Sequence, residues 1–270
     1  MKKILLINDV VGYSHVGMVA MMPILTYLGH PTYNLPTSLV SNTLDYGSFN
    51  VLDTTDYMRG VLPVWKKLGF SFDAICTGLM FSEEQALLVS AYCEEQSRQG
   101  TTIFVDPIMG DGGRLYNGIT RRSVELMRRM VSVADLTFPN YTEACYLTNL
   151  PFRPEGISRE EARQMLDRLV AIGTRSALIT SCIIDGKNCV CGFDADTATY
   201  FFHQYEEIPS QFHGTGDIFS AVIIAHLLRG EMLKPCTRTA MDVVSRLIDR
   251  NRDLDDKKRG IPIEKCLDLL

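Results

Sequence analysis

The feature that most constrains the fold is an alternation of short apolar runs with longer segments of helical periodicity. The short runs are rich in β-branched residues and end at polar side chains, whereas the longer runs repeat apolar residues every three or four positions. This order is typical of right-handed βαβ units, whose parallel strands form a central sheet with helices on both faces. The predicted strands and helices occupy, in chain order, residues 2–7, 18–28, 73–80, 83–96, 101–106, 122–134 and 136–140.

The second half of the chain adds a different pattern. Ser158 stands three residues before Glu161, and this capping box predicts a helix over 158–173, followed by a strand over 175–182. Residues 183–204 then alternate with a period of two around a turn, which indicates antiparallel strands at one edge of the sheet.

The chain shows no linker, repeat or low-complexity tract, and a last helix is expected near 236–250. We therefore predict an α/β protein with a three-layer fold, in which helices flank a mostly parallel sheet with antiparallel edge strands. A single domain over 1–270 is the simplest organisation.

Composition excludes several classes of partner. Of the 270 residues, 46% are hydrophobic and the net charge is −5 without a basic stripe, so we expect a large core and no nucleic-acid surface. No run approaches 18 apolar residues, and the first run is too short for a signal peptide, so we expect no membrane span. The eight cysteines form no CxxC pair and indicate reduced core thiols in a cytoplasmic protein.

Polar residues follow the predicted parallel strands, where ligands bind in open α/β sheets. These strand-end residues are Asn8, Asp9, Gly78, Asp106, Asn140, Thr180 and Ser181. The chain lacks a GxxxxGK[ST] loop, a GxGxxG fingerprint and the HRD and DFG motifs of protein kinases. A phosphate site, if the chain has one, must therefore be of another design.

The segment HGTGD (213–217), ahead of a strongly apolar helix, supplies such a design. Gly214 and Gly216 let the backbone approach a ligand closely, and the free N–H groups at the start of the helix favour an anion. Asp217 is expected in the first turn, where it either complements the helix dipole, worth about 0.3–1 kcal/mol, or acts on the bound ligand.

Two further segments carry acidic and amide side chains. VDPIMGDGG (105–113) has Asp106 at a strand end and Asp111 in a glycine-rich loop, and FPNYTEA has Asn140 and Glu143 at a strand-to-helix junction. The Asn140–Glu143 spacing is that of a capping box, and the same residue types also hold magnesium, so the two roles are compatible.

The sequence resembles the ribokinase-like superfamily and, within it, the pyridoxal (vitamin B6) kinases. The motifs that carry the resemblance span nearly the whole chain: DVVGYSHVGMVA near the start, LPTSLVSN, TG (77–78), VDPIMGDGG, PNYTEA, LITS (178–181), HGTGD and GIPIEK (260–265).

The resemblance implies that Asp217 is the general base for a primary alcohol attacking the γ-phosphorus of ATP. It makes Gly214, Thr215 and Gly216 the anion hole. It places the triphosphate and Mg2+ near a larger set of residues, in which Asp106 and Glu143 hold the metal partly through water. A monovalent cation is a further candidate cofactor. That set is Asp106, Asp111, Asn140, Glu143, Thr180 and Ser181.

On the substrate side the resemblance implies contacts with Asp9, His15, Gly17, Thr37 and Leu79. Two of these depart from the family pattern, because Asp9 replaces a serine that bonds the pyridine nitrogen and Leu79 replaces a tyrosine that covers the ring. For His15 an ordinary loop position is the alternative.

We therefore predict a homodimeric kinase of a small heterocyclic alcohol, which converts pyridoxal, pyridoxamine or pyridoxine to the 5′-phosphate with ATP. A hydroxymethylpyrimidine kinase of thiamine synthesis is the nearest alternative. A non-catalytic relative that binds vitamin B6 or a nucleotide is the other, although such a protein would have no need of a base at Asp217.

Overall fold

The structure, a computed structural model, describes residues 1–116 and 119–270. These residues form two compact units, one of residues 1–81 with 208–270 and the other of residues 82–207. The organisation as a single domain over 1–270 stays a prediction.

The first unit contains a four-stranded sheet in the order β4-β1-β2-β3. Strand β1 is parallel to β2 and β4, and β3 is antiparallel to β2. Residues of β1 are buried on both faces, which explains its almost unbroken apolar sequence. The elements are β1 (Ile4–Val11), α1 (Met18–Tyr27), β2 (Thr32–Val40), β3 (Val51–Asp53), α2 (Thr55–Lys67), β4 (Ala74–Thr77), α7 (Thr215–Leu227) and α8 (Leu233–Asn251).

Strand β2 and helix α2 were not predicted from the sequence. Pro36 interrupts the pattern of β2, and Gly60 and Pro63 lie inside α2, so local propensity opposes both elements. Tertiary packing overrides that propensity, because α2 buries Met58 and Leu62. The last helix also begins earlier than expected, at Leu233.

The second unit contains a sheet in the order β11-β10-β9-β8-β5. Strands β5, β8 and β9 are parallel, while β10 runs antiparallel to β9 and β11. The elements are α3 (Glu83–Ser97), β5 (Thr102–Val105), β6 (Gly110–Asp111), β7 (Arg114–Leu115), α4 (Arg121–Val131), β8 (Leu136–Thr137), α5 (Tyr141–Thr148), α6 (Arg159–Ile172), β9 (Ser176–Ile184), β10 (Lys187–Asp194) and β11 (Thr199–Gln204).

The predicted fold class is confirmed, with mostly parallel strands, flanking helices and antiparallel strands at the edges. The capping box of α6 is present, since the Ser158 hydroxyl accepts a hydrogen bond from the Glu161 N–H at 3.2 Å. All eight cysteines are buried free thiols. Within 1–116 and 119–270, we find no helix that combines the length and apolarity required to span a bilayer.

Candidate active site

Helix α7 presents Asp217 in its first turn, as the sequence predicted. Gly214 caps the helix at φ 80°, and a Cβ there would lie 2.5 Å from the carbonyl oxygen of His15, so the position requires glycine. Residues 218–225 are buried and anchor the helix. The backbone of the HGTGD segment is therefore held in one position relative to the loop that precedes α1.

Two neutral donors orient the Asp217 carboxylate. The Gly17 N–H donates to Oδ2 of Asp217 at 2.8 Å, and the side-chain amide of Asn8 lies close enough for its hydrogen-bonding interaction to lower the pKa of Asp217. Burial raises the pKa of Asp217 to about 6, and the two hydrogen bonds oppose this rise. Asp217 is thus a positioned carboxylate that is ionised at neutral pH and is a stronger base than an exposed aspartate.

Asp9 lies beside Asp217 at the end of β1. The pairing of β1 with β2 passes from Asn8 with Pro36 to Val10 with Leu39, so β2 has one extra residue opposite Asp9. Such bulges redirect side chains and are frequent next to active sites. Asp9 is only 7% exposed, and burial, followed by repulsion from Asp217, raises its pKa to about 7.

Asn8 is a residue of this site to which sequence reasoning gave no role. Its Oδ1 accepts the N–H groups of Asp9 and Leu79, each at 2.9 Å, while its amide reaches Asp217. The carbonyl of Leu79 in turn accepts the Thr37 hydroxyl at 2.8 Å. The available signal was the place of Asn8 at a strand end next to Asp9, but its partners come from the segment after β4 and from α7, which are distant in sequence.

His15 contributes to the site chiefly through its backbone. Its carbonyl packs against Gly214 and Gly260, and its N–H donates to the carbonyl of Arg259 at 2.6 Å. Its imidazole Nε2 lies 3.3 Å from the carboxylate of Glu264. Its Nδ1 is buried without a partner among the described residues.

In the second unit, the Asn140–Glu143 capping box is present at the start of α5. Glu143 accepts the N–H of Met109 on one oxygen and the N–H of Asn140 on the other, both at 2.8 Å. Asn140 also donates from its side chain to the carbonyl of Gly110 at 2.8 Å. The pair therefore fixes the glycine-rich loop against α5.

The carboxyl of Glu143 is fully engaged by backbone donors and is deeply buried. Burial, and then the nearby Asp106 carboxylate, raise its pKa well above the usual range, while the backbone hydrogen bonds oppose that rise. Burial thus favours the neutral form of Glu143, and the Asp106 carboxylate lies close enough to add to that effect.

The remaining candidates of the second unit lie close to Asn140 or on the glycine-rich loop. Asn140 forms a bridge with Thr180, and Ser181 has a φ of 54°, which is unusual for a residue other than glycine. The register between β9 and β10 shifts at these two residues, so they too lie on a bulge. Asp111 is exposed and accepts the N–H of Gly112 at 2.7 Å.

Comparison with known proteins places these features in a family. The family model described as phosphomethylpyrimidine kinase matches residues 41–262. A crystallised Bacteroides thetaiotaomicron protein assigned as a phosphomethylpyrimidine kinase is 32% identical, with a TM-score of 0.94 over 98% of this chain and 92% of that one. A second crystal form of that protein, with pyridoxal, gives a TM-score of 0.93 over 99% of this chain and 95% of that one.

Two further relatives are pyridoxal kinases. The enzyme of Lactobacillus plantarum is 26% identical, with a TM-score of 0.90 over 99% of this chain and 96% of that one. Pyridoxal kinase PdxY of Leifsonia xyli is 28% identical, with 89% of this chain and 87% of the relative covered. The resemblance drawn from the motifs is confirmed, and the chain belongs to the phosphomethylpyrimidine kinase family.

Proposed function

We propose that this protein transfers the γ-phosphoryl group of ATP to the 5′-hydroxymethyl group of pyridoxal, pyridoxamine or pyridoxine. The observation that carries the proposal is Asp217, an oriented carboxylate with a pKa of about 6 in the first turn of α7, beside the free N–H groups of the HGTGD segment. A base and an anion-binding backbone at one helix terminus suit the transfer of a phosphoryl group to an alcohol.

In the proposed reaction Asp217 takes the proton of the alcohol as its oxygen attacks the γ-phosphorus. The bond from the γ-phosphorus to the bridging oxygen breaks, and ADP leaves with that electron pair. The N–H groups of Gly214, Thr215 and Gly216 stabilise the negative charge that develops on the transferred group. A Cβ on Gly216 would have no described atom within 4 Å, so this backbone is open to a ligand.

The residues of the second unit are assigned to the ATP phosphates and Mg2+. Mg2+ bound with ATP neutralises phosphate charge. Among residues 1–116 and 119–270 no three His, Cys, Asp or Glu side chains cluster as a metal site. We assign Asp106 and Glu143 to the metal, partly through water, and Glu143 also holds the glycine-rich loop through the Met109 N–H. The assigned phosphate contacts are Asp111, Asn140, Thr180 and Ser181.

On the acceptor side, Asp9, Gly17, Thr37 and Leu79 are assigned to the ring, with His15 forming the adjacent loop. Pyridoxal accompanies one crystal form of the Bacteroides relative, and the Lactobacillus and Leifsonia relatives are pyridoxal kinases, which favours a vitamin B6 substrate. The description of the matching family favours hydroxymethylpyrimidine or its phosphate as the second candidate.

One experiment separates these substrates. Purified protein is incubated with Mg-ATP and, separately, pyridoxal, pyridoxamine, pyridoxine, hydroxymethylpyrimidine and its phosphate, and ADP and phosphorylated product are quantified. We expect turnover of the B6 vitamers and a loss of at least about 10²-fold in Asp217→Asn. Turnover of the pyrimidines alone would overturn the substrate, and full activity of Asp217→Asn would overturn the mechanism.

We further propose that residues 1–270 act as a single kinase domain that pairs with a second copy. Exposed apolar side chains lie on β2, on the edge strand β3 and on α2, where charged or polar residues would be expected of a free surface. Examples are Leu39, Leu52, Tyr57 and Val64, which are 44–60% exposed. Sedimentation velocity should give a dimer that Leu52→Glu weakens, and a monomer in the native protein would refute the pairing.

A further inference from the structure

We propose that Asn8 is a positioning residue for phosphoryl transfer. Its single buried amide orients Asp217 and also fixes the backbone of Leu79, the residue assigned to the wall of the substrate site. The inference rests on the proposed kinase function and adds to it a residue that lies behind the groups assigned to the substrate. Asn8 is 2% exposed, so it acts through its neighbours and does not itself meet a ligand.

The hydrogen bonds of Asn8 allow only one orientation of its amide. Oδ1 accepts two backbone N–H groups, those of Asp9 and Leu79, each at 2.9 Å. A flipped amide would place its NH2 group against these two donors and leave both of them without an acceptor. The NH2 group must therefore point the other way, toward Asp217 and, at 3.8 Å, the sulfur of Met21.

The Asn8 side chain occupies space that only a glycine at residue 78 leaves open. A Cβ on Gly78 would lie 2.2–2.5 Å from Oδ1, Cγ and Nδ2 of Asn8. Gly78 is thus required so that the Asn8 amide can pack against the backbone just after β4. This gives a physical reason for a glycine at residue 78 that does not involve the substrate.

Leu79, in the wall of the proposed substrate site, and Asp217, the proposed base, are connected through the Asn8 side chain. The Leu79 peptide is held at both ends, because its N–H donates to Asn8 and its carbonyl accepts from Thr37. Asp217 is likewise held by Asn8 and by the Gly17 N–H. Movement of Asn8 would displace both Leu79 and Asp217, whereas loss of the Thr37 hydroxyl would remove a hydrogen bond of Leu79 and neither of the two that orient Asp217.

Few charged groups surround Asp217, so loss of the Asn8 hydrogen bond should produce a measurable change in the pKa of Asp217. Asp9, from β1, is the carboxyl that faces it, and α1 has no charged side chain. The nearby histidines are paired elsewhere, His15 with Glu264 at 3.3 Å and His213 with Asp45 at 3.1 Å. Two neutral donors therefore oppose the effect of burial, and the loss of one should raise the pKa of Asp217.

The test compares kcat, KM and the pH profile of kcat/KM for three variants, with the B6 vitamer that the native enzyme turns over best. Asn8→Asp keeps an acceptor for the two backbone N–H groups but replaces the donor to Asp217 by a carboxyl. We expect a KM within about threefold of native, with the acidic limb of the profile moved up by at least about one pH unit. Thr37→Val should do the opposite, raising KM and leaving the limb in place.

Asn8→Ala removes both functions, so we expect a higher KM, a shifted limb and a kcat lowered about 10–100-fold. Ser38→Ala is the matched control, since its hydroxyl is buried nearby without a partner among the described residues, and we expect neither change. If Asn8→Ala does not fold, Asn8→Asp still decides, because both backbone donors keep an acceptor.

An Asn8→Asp enzyme with reduced kcat and an acidic limb at the native pH would overturn the positioning role and leave Asn8 a structural residue. A native enzyme that phosphorylates none of the substrates would instead overturn the proposed function. The two failures are therefore distinguished by the activity of the native protein.

Discussion

Replacement of Gly17 by alanine should separate the positioning of Asp217 from the stability of the fold. Gly17 precedes α1 at φ 57° and ψ −137°, a conformation that is available almost only to glycine. Its N–H donates to Asp217 at 2.8 Å. A Cβ would lie 2.5 Å from Oδ1 and 2.9 Å from the carbonyl oxygen of Asp9. Alanine therefore strains the backbone and also pushes on the carboxyl next to the base.

The magnitude follows from these distances. An ordinary carbon–oxygen contact is about 3.3 Å or more, so Asp9 or Gly17 must move by about 1 Å. A displacement of about 1 Å in a catalytic group costs about 10²-fold in rate, which corresponds to about 2.7 kcal/mol of transition-state stabilisation. Backbone strain adds a loss of about 1–3 kcal/mol in the free energy of unfolding.

Gly29→Ala is the control, because Gly29 also has a positive φ, of 90°, but its Cβ would meet no described atom within 4 Å. It should lose about 1–2 kcal/mol of stability and keep native kcat/KM. Steady-state kinetics and urea unfolding of both variants measure the two effects. A kcat/KM for Gly17→Ala within threefold of Gly29→Ala would refute the reasoning.

Two further predictions concern stability. Burial raises the pKa of Asp9 from an unfolded value of 3.8 to about 7, so its contribution to stability is complete below pH 4 and is lost as the pH rises through 7. Asp9→Asn should therefore stabilise the protein at pH 8 by up to about 4 kcal/mol, and by much less at pH 4.5, as measured by thermal unfolding. Asp73→Asn is the control: a backbone hydrogen bond lowers the pKa of Asp73, so its replacement should destabilise the protein at pH 8. A gain for Asp9→Asn that does not grow with pH would contradict this. Arg128 donates to the carbonyls of Tyr146 and Leu147, near the end of α5, at 2.7 Å each. Arg128→Ala should therefore lower the free energy of unfolding in urea by about 3 kcal/mol, whereas Arg129→Ala, at the exposed neighbour, should lower it by less than about 0.5 kcal/mol. Equal losses for the two arginines would rule out this capping role.

The parts of the site that were predictable depend on residues close together in sequence. The Asn140–Glu143 box and the place of Asp217 in the first turn of α7 each follow from a spacing of three or four residues. The bulge in β2 opposite Asp9 and the bulge in β9 at Thr180 could not be predicted, because both depend on the register between neighbouring strands. Strand β2 and helix α2 were missed for a related reason, since their prolines and glycine are outweighed by burial against other elements.

Both groups that donate to Asp217 are neutral, and this affects how strongly its carboxylate holds a proton. A lysine or arginine beside the carboxylate would hold it ionised, but would also lower its pKa and weaken its hold on a proton. The Gly17 N–H and the Asn8 amide orient the carboxylate with less effect on its charge, so burial still leaves its pKa at about 6. Burial and repulsion from Asp217 raise the pKa of the neighbouring Asp9 to about 7, so Asp9 carries less negative charge at neutral pH than an exposed aspartate. In the proposed reaction, such a carboxylate is ionised at pH 7 and yet able to accept a proton from the alcohol as the oxygen–phosphorus bond forms.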